Sequence, residues 1–323
     1  MQILITGGAG FIGSHLAERL VREGHQVTVL DDLSTGRREN LAALEGSNAL
    51  RFVEGTILDA DMVGDLARGA DVIFHLAAAV GVKKIMDEPS RSILTNVGGT
   101  ETVLKAALRK KTLTFVASTS EVYGKARKFP FSEDDDLTIG ATKNLRWSYA
   151  CAKTLDEFLA LAYAREEGLP VVIPRFFNTT GPRQTGRYGM VVPNFIEAAL
   201  DNRPLMVHGT GEQTRCFGHV ADVVEALMRL MAAPEARGQV FNVANDQEVS
   251  IRGLAERVIA QTGSRSEIRL VPYDTVYPEG FEDMERRLPD VSKLHRTIGF
   301  RPTRGLSEII SDILAEKRAA RGH

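Results

Sequence analysis

The sequence predicts an α/β fold: a doubly wound parallel sheet with a smaller, discontinuous C-terminal domain. Three observations predict it. Short β-branched or apolar runs alternate with helix-periodic segments through the first half of the 323 residues, the rhythm of parallel strands joined by helical crossovers. The first run leads straight into a glycine-rich turn that opens a helix. Beyond Asn178 the alternation becomes irregular, resumes between 217 and 245, and lapses again. The expected division is therefore 1–177, with 217–245 returning to it, against 178–216 with 246–323.

Taken in order, strands are expected at Ile3–Thr6, Gln26–Asp31, Arg51–Gly55, Asp71–Ala77, Leu113–Ser118 and Pro170–Phe176. Between them, Phe11–Arg22, Leu94–Leu108 and Tyr149–Glu166 carry apolar residues at three- and four-residue spacing, as helices lying on a sheet must. A Gly/Pro/Arg-rich loop from Gly181 to Gly189 follows, then a helix at Val192–Leu200 and a strand at Leu205–His208. A helix at Ala221–Met231 and a strand at Val240–Val243 read as sheet elements again. From Ile251 come a helix, a strand at Ile268–Pro272, a polar loop to Pro289 and two closing helices. The acidic run Glu133–Asp136 reads as a solvated loop.

Composition narrows the function. With 40 Lys+Arg against 42 Asp+Glu, no broad basic field exists to attract nucleic acid or an anionic membrane. Any anionic ligand must meet local positive groups. Two cysteines, Cys151 and Cys216, are too few for a disulfide framework and suit a reducing cytoplasm. No apolar run approaches the ~20 residues of a membrane span, and MQILITGGAG enters strand and turn at once, so no signal peptide is expected. The 7 histidines show no ligand-like grouping, and no metal is expected.

Gly7-x-x-Gly10-x-x-Gly13, with Phe11 and Ile12 inside it, lies where a strand passes into a helix. Glycines there let the backbone turn tightly and approach a pyrophosphate at the helix N-terminus. Asp31 ends the second strand, where an acid hydrogen-bonds the adenosine ribose and repels a 2′-phosphate, so NAD is favoured over NADP. Asp32 competes for that place. Ala77 belongs to the same strand-end edge. Asp59 suits either the adenine amino group or a helix cap.

Tyr149 and Lys153 stand four apart, on one face of a helix. A nearby ammonium lowers a phenol pKa, which makes Tyr149 a candidate general base near neutral pH. The spacing is common by chance; its place, on the helix after a strand ending Ser118-Thr119-Ser120-Glu121, gives it weight, because doubly wound sheets bind ligands at their carboxyl edges. Thr119 or Ser120 could share a hydrogen bond with the oxygen that Tyr149 deprotonates, or simply cap the strand end.

The glycine turn, the Tyr-x-x-x-Lys pair and the order of elements resemble the extended short-chain dehydrogenase/reductase superfamily, in its nucleotide-sugar epimerase, dehydratase and decarboxylase branch. The resemblance implies a Rossmann-type sheet, a nucleotide-sugar-binding second domain, and tightly held NAD that takes a hydride from sugar C4 and returns one later. It implies that Asn178 and Arg183 lie beside the nucleotide diphosphate, Val192 and Asn194 near the base, and Arg215 at a phosphate, though either arginine could be a surface charge. It assigns Asn96 to the nicotinamide or a water, where an N-terminal helix role serves equally well. It also implies a homodimer through a four-helix bundle built on 94–108 and 149–166, whose spare apolar positions core packing would equally explain.

Residues after Thr119 separate the reactions. Ser120 is a poor acid for expelling water, which disfavours dehydration. Ser118-Thr119-Ser120-Glu121-Val122-Tyr123-Gly124, the run Arg146–Lys153 and the run Gly280–Asp290 are similar to segments of UDP-glucuronate decarboxylases and UDP-apiose/UDP-xylose synthases. That resemblance gives Arg287 a place by the sugar carboxylate and, with Glu121, a role in protonating the carbanion left by CO2. The chemistry is coherent: a C4 ketone is β to the C6 carboxylate, so its enolate accepts the electrons freed by decarboxylation. Glu121 could instead be an ordinary strand-end glutamate, and Arg286-Arg287 part of a mixed-charge loop. The expected activity is UDP-glucuronate decarboxylation to UDP-xylose or its 4-keto precursor. A UDP-sugar 4-epimerase is the second reading, needing only Thr119, Tyr149, Lys153 and room for the keto-sugar to turn; a non-catalytic NAD-binding regulator is the third.

Overall fold

The computed structural model describes residues 1–186, 190–275, 282, 284 and 286–322. Gly189, Gly280, Phe281, Asp283 and Glu285, which belong to segments singled out above, lie outside the described residues. The chain begins β1 (Gln2–Thr6), α1 (Phe11–Arg22), β2 (Gln26–Asp31), β3 (Leu50–Glu54), α2 (Ala60–Arg68), β4 (Val72–His75), α3 (Val82–Asp87), α4 (Pro89–Leu108), β5 (Leu113–Val116) and β6 (Ser118–Thr119). It continues with α5 (Trp147–Glu167), β7 (Val171–Phe176), β8 (Thr179–Thr180), α6 (Val191–Leu200), β9 (Leu205–His208), β10 (Thr214–Cys216), β11 (Gly218–His219) and α7 (Val220–Ala232). The remainder is β12 (Gln239–Val243), β13 (Glu248–Ser250), α8 (Ile251–Thr262), β14 (Ile268–Val271), α9 (Ser292–Ile298) and α10 (Leu306–Ala320).

The main sheet runs β12-β7-β5-β4-β1-β2-β3, with β6 also pairing β7, and its ladders are parallel. Its strands are nearly continuous apolar runs because helices cover both faces. Alternate residues feed two cores: Ile3, Ile5, Val27 and Phe74 join Leu16, Leu20 and Leu227 on one face, while Leu4, Leu30 and Ile73 join Val103, Leu104 and Ala160 on the other. Strand order reverses between β1 and β4, which opens a crevice at their carboxyl ends. Thr6 is in register with both Leu30 and His75, so the glycine turn, Asp31 and the segment after His75 emerge side by side.

Val220–Val243 returns to this sheet, with Val223 and Leu227 of α7 in the first core and β12 paired along β7. A separate core joins Phe195 and Ile196 of α6, Leu254 and Val258 of α8, and Ile309, Ile310 and Ile313 of α10.

The strand expected at Leu113–Ser118 is two. Pairing to β7 holds at Thr114 and Phe115, lapses, and resumes at Ser118 and Thr119 opposite Arg175 and Phe176. The gap falls where Pro174 sits in β7, a residue with no N–H to donate. The sequence reading also left out α2 and α3, of nine and six residues, and strands of two or three residues such as β8 and β10, all too short for periodicity to register.

Candidate active site

A large cleft of about 830 Å³ runs from the glycine turn, across the ends of β4 to β7, to the separate core around α6 and β10. At its first end, Gly7 has φ +73°, and a Cβ there would lie 2.6 Å from the backbone nitrogen of Ala77; one at Gly13 would lie 2.4 Å from the Gly7 carbonyl. Only glycine lets the turn close this tightly. Helix α1 opens with no side-chain cap and no acid in its first turn, which leaves its N-terminal dipole to an anion. Phe11 and Ile12 line the cleft. Asp31 is buried, with Oδ2 accepting from the Ala9 N–H and Oδ1 from the Leu33 N–H, both at 2.9 Å. Its carboxylate is thereby aimed at the strand end. The turn and this acid fit a dinucleotide.

Other expected cofactor contacts have structural partners. Asp32 accepts from the Ser34 N–H while still lining the cleft. Asp59 is exposed and caps α2 through the Met62 N–H at 3.0 Å. Asn96 is buried and clamps both backbone groups of Ala79, steadying the cleft wall from behind.

At the centre of the cleft stand Thr119, Ser120, Glu121, Tyr149 and Lys153. Thr119 accepts from the Glu121 N–H at 3.2 Å and starts the one-turn 3-10 segment Ser120–Tyr123. A buried ionic network fixes this turn from beneath: Glu157 of α5 takes two bonds from Arg175, at 2.9 and 2.7 Å, and a short one from the Ser118 hydroxyl. Arg175 continues to the Tyr123 hydroxyl, which donates to Asn242.

Glu121 lies between two arginines. Arg146 donates from Nη1 to Oε2 at 2.7 Å and from Nη2 to Oε1 at 3.4 Å, and Arg287 approaches Oε1 at 3.7 Å. The side chains are 15% exposed for Glu121, 4% for Arg146 and 10% for Arg287. Arg287 is carried there by a segment docked on Phe131, which bonds Leu288 and Asp290 through its backbone. Glu282 accepts from the Trp147 indole at 2.9 Å. Arg286 points elsewhere, to Glu248.

The phenol of Tyr149 departs from the sequence expectation. Burial, with the nearby charges of Glu121 and Asp156, pushes it above the ordinary phenol range. Lys153 does not act alone: its ammonium donates to the buried Asp156 carboxylate at 2.9 Å.

Toward the far end, Asn178 (φ +31°) ties its amide to the Cys216 carbonyl, and Arg215 is buried on β10. Val192 is buried and Asn194 exposed at the start of α6; all four line the cleft. Arg183 is clamped to Glu18, His15 and the Asn40 carbonyl at 2.7–3.0 Å. That clamp ties its loop to α1, and Arg183 also lines the cleft.

Arg146 and Asp156 are the residues that sequence reasoning missed. Arg146 was inside a quoted segment, three positions before Tyr149 and hence on its face of the chain. Asp156 breaks the apolar stripe of α5, a signal that periodicity carries when polar residues on the buried face are taken as informative.

Fold and cleft together define a class: a doubly wound sheet with a dinucleotide turn and a Tyr-x-x-x-Lys pair at its switch point, the extended short-chain dehydrogenases/reductases. Residues 4–313 match the family model described as GDP-mannose 4,6 dehydratase, and the chain belongs to that family, in the NAD-dependent nucleotide-sugar branch of the class. The chain is 47% identical over 314 residues, 96% of each chain, to a UDP-N-acetyl-alpha-D-glucosaminuronate decarboxylase of Bacillus cytotoxicus. It is 37% identical to UDP-glucuronic acid decarboxylase 1 of Xenopus tropicalis, covering 95% of this chain and 70% of that one. Among solved structures it resembles the UDP-glucuronic acid 4-epimerase of Bacillus cereus, in complex with UDP-glucuronic acid and NAD, at 26% identity and TM-score 0.88, covering 99% and 100% of the two chains.

Proposed function

We propose that this protein is an NAD-dependent decarboxylase of a UDP-linked hexuronate. The observation that carries the reading is Glu121 held between Arg146 and Arg287 in the cleft that Tyr149 and Lys153 line. Two guanidiniums against one carboxylate leave a local positive charge in a protein whose net charge is −2, which suits a sugar that carries its own carboxylate. The Gly7–Gly13 turn and Asp31 would hold NAD, which would supply the oxidation at C4 and the later return of the hydride.

The chain's own groups do the rest. Tyr149 would take the C4 hydroxyl proton in its ionised form, which the positive charge of bound NAD would favour against the burial and acids that hold the phenol up, with Thr119 bonded to the same oxygen. Arg287 holds the C6 carboxylate. Once C4 is a ketone, the C5–C6 bond breaks, CO2 leaves, and its electron pair becomes the C4–C5 enolate. With Arg287 turned to the C6 carboxylate, Glu121 takes up a proton from solvent and, steadied by Arg146 with Ser120 beside it, passes it to C5. The nucleotide extends toward Asn178, Val192, Asn194 and Arg215. The sheet of 1–177 with 217–245 holds the cofactor, and 178–216 with 246–323 the nucleotide sugar.

Proton NMR with UDP-glucuronate and with UDP-N-acetylglucosaminuronate, together with trapped CO2 from C6-labelled substrate, tests this. Label release with a pentose-type signal from either sugar supports it, and the 47% identical relative favours the acetamido sugar. Full retention of label with an inverted C4 signal would make the protein a 4-epimerase, the reading favoured by the structural likeness to the uronate epimerase.

The protein works as a cytoplasmic homodimer. Among the described residues no helix is long and apolar enough to cross a membrane. On the outer faces of α4 and α5, Leu94 is 68% exposed and Phe158 65%, an apolar surface suited to a partner. Phe158→Glu is expected to yield monomers in sedimentation.

A further inference from the structure

The buried face of α5 carries an acid that the proposed chemistry does not use. Trp147, Ala150, Lys153, Asp156, Glu157 and Ala160 recur at three- and four-residue spacing and are buried. Glu157 is accounted for by Arg175 and Ser118. Asp156 is 0% exposed, and folding alone does not call for a carboxylate there, since an apolar residue would continue the stripe without desolvating a charge. Oδ2 holds the Lys153 ammonium at 2.9 Å, and that side chain is only 3% exposed. Among the described residues Oδ1 has no hydrogen-bond partner. The Thr100 hydroxyl of α4 faces the carboxylate and lies 3.1 Å from Nε2 of His75, whose Nδ1 lies 2.7 Å from the Thr6 hydroxyl. A polar chain thus runs from β1, through β4 and α4, to the lysine beside the base.

We propose that Asp156 is a positioning residue: it anchors the Lys153 ammonium behind the cleft and offsets the positive charge that Tyr149 senses. The inference rests on Tyr149 being the general base of the reaction proposed above. Facing Tyr149 are Asp156 on its own helix and Glu121 from the 3-10 turn, itself held by Arg146 and Arg287, with Lys153 one turn on along the helix. Facing Asp156 are Lys153, Glu157 and Thr100, and Arg175 of β7 is committed to Glu157. His75 adds no charge, because burial and Lys153 push it down to about 3. Without Asp156, Lys153 would be a buried cation stabilising the tyrosinate directly. With it, the pair is neutral and the phenol is governed by burial and by Glu121.

The test reads the phenol in the ligand-free protein, so it stands whichever sugar nucleotide reacts. Tyrosinate absorbance is titrated as the difference between a protein and its Tyr149→Phe counterpart, in the native background and with Asp156→Asn. Asp156→Asn is expected to lower the midpoint by about one pH unit, tenfold in ionisation constant, and to move the acid limb of kcat the same way. An unmoved midpoint with only a lowered melting temperature would make Asp156 structural and overturn the proposal. Should Asp156→Asn not fold, the native protein decides: a Tyr149 midpoint clearly below the ordinary value of about 10 means that Lys153 acts undiminished and overturns it, whereas no ionisation below that pH supports it.

Discussion

Replacing Arg146 by Met removes the firmest hold on Glu121 while keeping a long side chain in a buried place. Both arginines attract Glu121; an ion pair at about 4 Å with an effective dielectric near 20 is worth about 4 kcal/mol before desolvation. Arg146 makes two hydrogen bonds to it, at 2.7 and 3.4 Å, and Arg287 approaches at 3.7 Å. Charged hydrogen bonds contribute about 1.5–3 kcal/mol. Because Arg287 still neutralises Glu121 in the variant, the stability loss should stay near that range, below the ~3–5 kcal/mol of a fully orphaned buried charge. The larger effect is on chemistry. Released from Arg146, Glu121 is drawn toward Arg287, and a displacement of ~1 Å in a group that must reach C5 costs about 100-fold. C6-label release should therefore fall about 100-fold in kcat, while C4 oxidation, read as reduced-nicotinamide absorbance in a single turnover, persists. Label release within about threefold of the native rate in a folded variant would refute the reasoning.

Three further outcomes follow from the same geometry. Glu121→Gln should lower CO2 release by about 10²–10⁴-fold with oxidation intact; undiminished release of label would remove Glu121 from the mechanism. Gly13→Ala places a Cβ 2.4 Å from the Gly7 carbonyl and 2.7 Å from the Gly8 Cα, so calorimetry should find NAD binding abolished and the fold weakened by about 1–3 kcal/mol; near-native binding would mean that the turn can widen. Burial pushes His75 down to about 3 and His15 down to about 4, so both contribute stability that is fully present above their unfolded value of 6.5 and lost as pH falls through about 4 and then 3. His75 accounts for several kcal/mol of this, and urea unfolding between pH 7 and 4 should show steadily falling stability; a flat profile there would mean that neither imidazole is desolvated.

Much of the sheet was legible because its strands are buried on both faces. Gln26–Asp31 and Phe11–Arg22 were read to the residue, and Val240–Val243 was rightly returned to the first sheet. The reading failed where local signals are short or where a proline in one strand breaks its neighbour, as Pro174 does between β5 and β6. Of the site, Gly7, Gly10, Gly13, Asp31, Thr119, Tyr149 and Lys153 were legible because each belongs to a motif with local spacing. Asp59 and Asn96 read equally well as caps or contacts from sequence, and their partners are backbone groups that only the folded chain brings near.

What the sequence by itself determined is the fold class, the dinucleotide turn and the pairing of Tyr149 with Lys153, because periodicity and spacing of a few residues encode them. What only the tertiary structure decided is the electrostatic state of the centre. Arg146 and Arg287 are 141 positions apart, yet both reach Glu121, the first from the start of α5 and the second through the docking of 286–290 on Phe131. Asp156, unremarkable as one acid among 42 Asp+Glu, becomes decisive because α5 turns it inward onto Lys153. Charge acts through space at distances of a few ångströms, and burial sets its strength; neither is written in the order of residues along the chain.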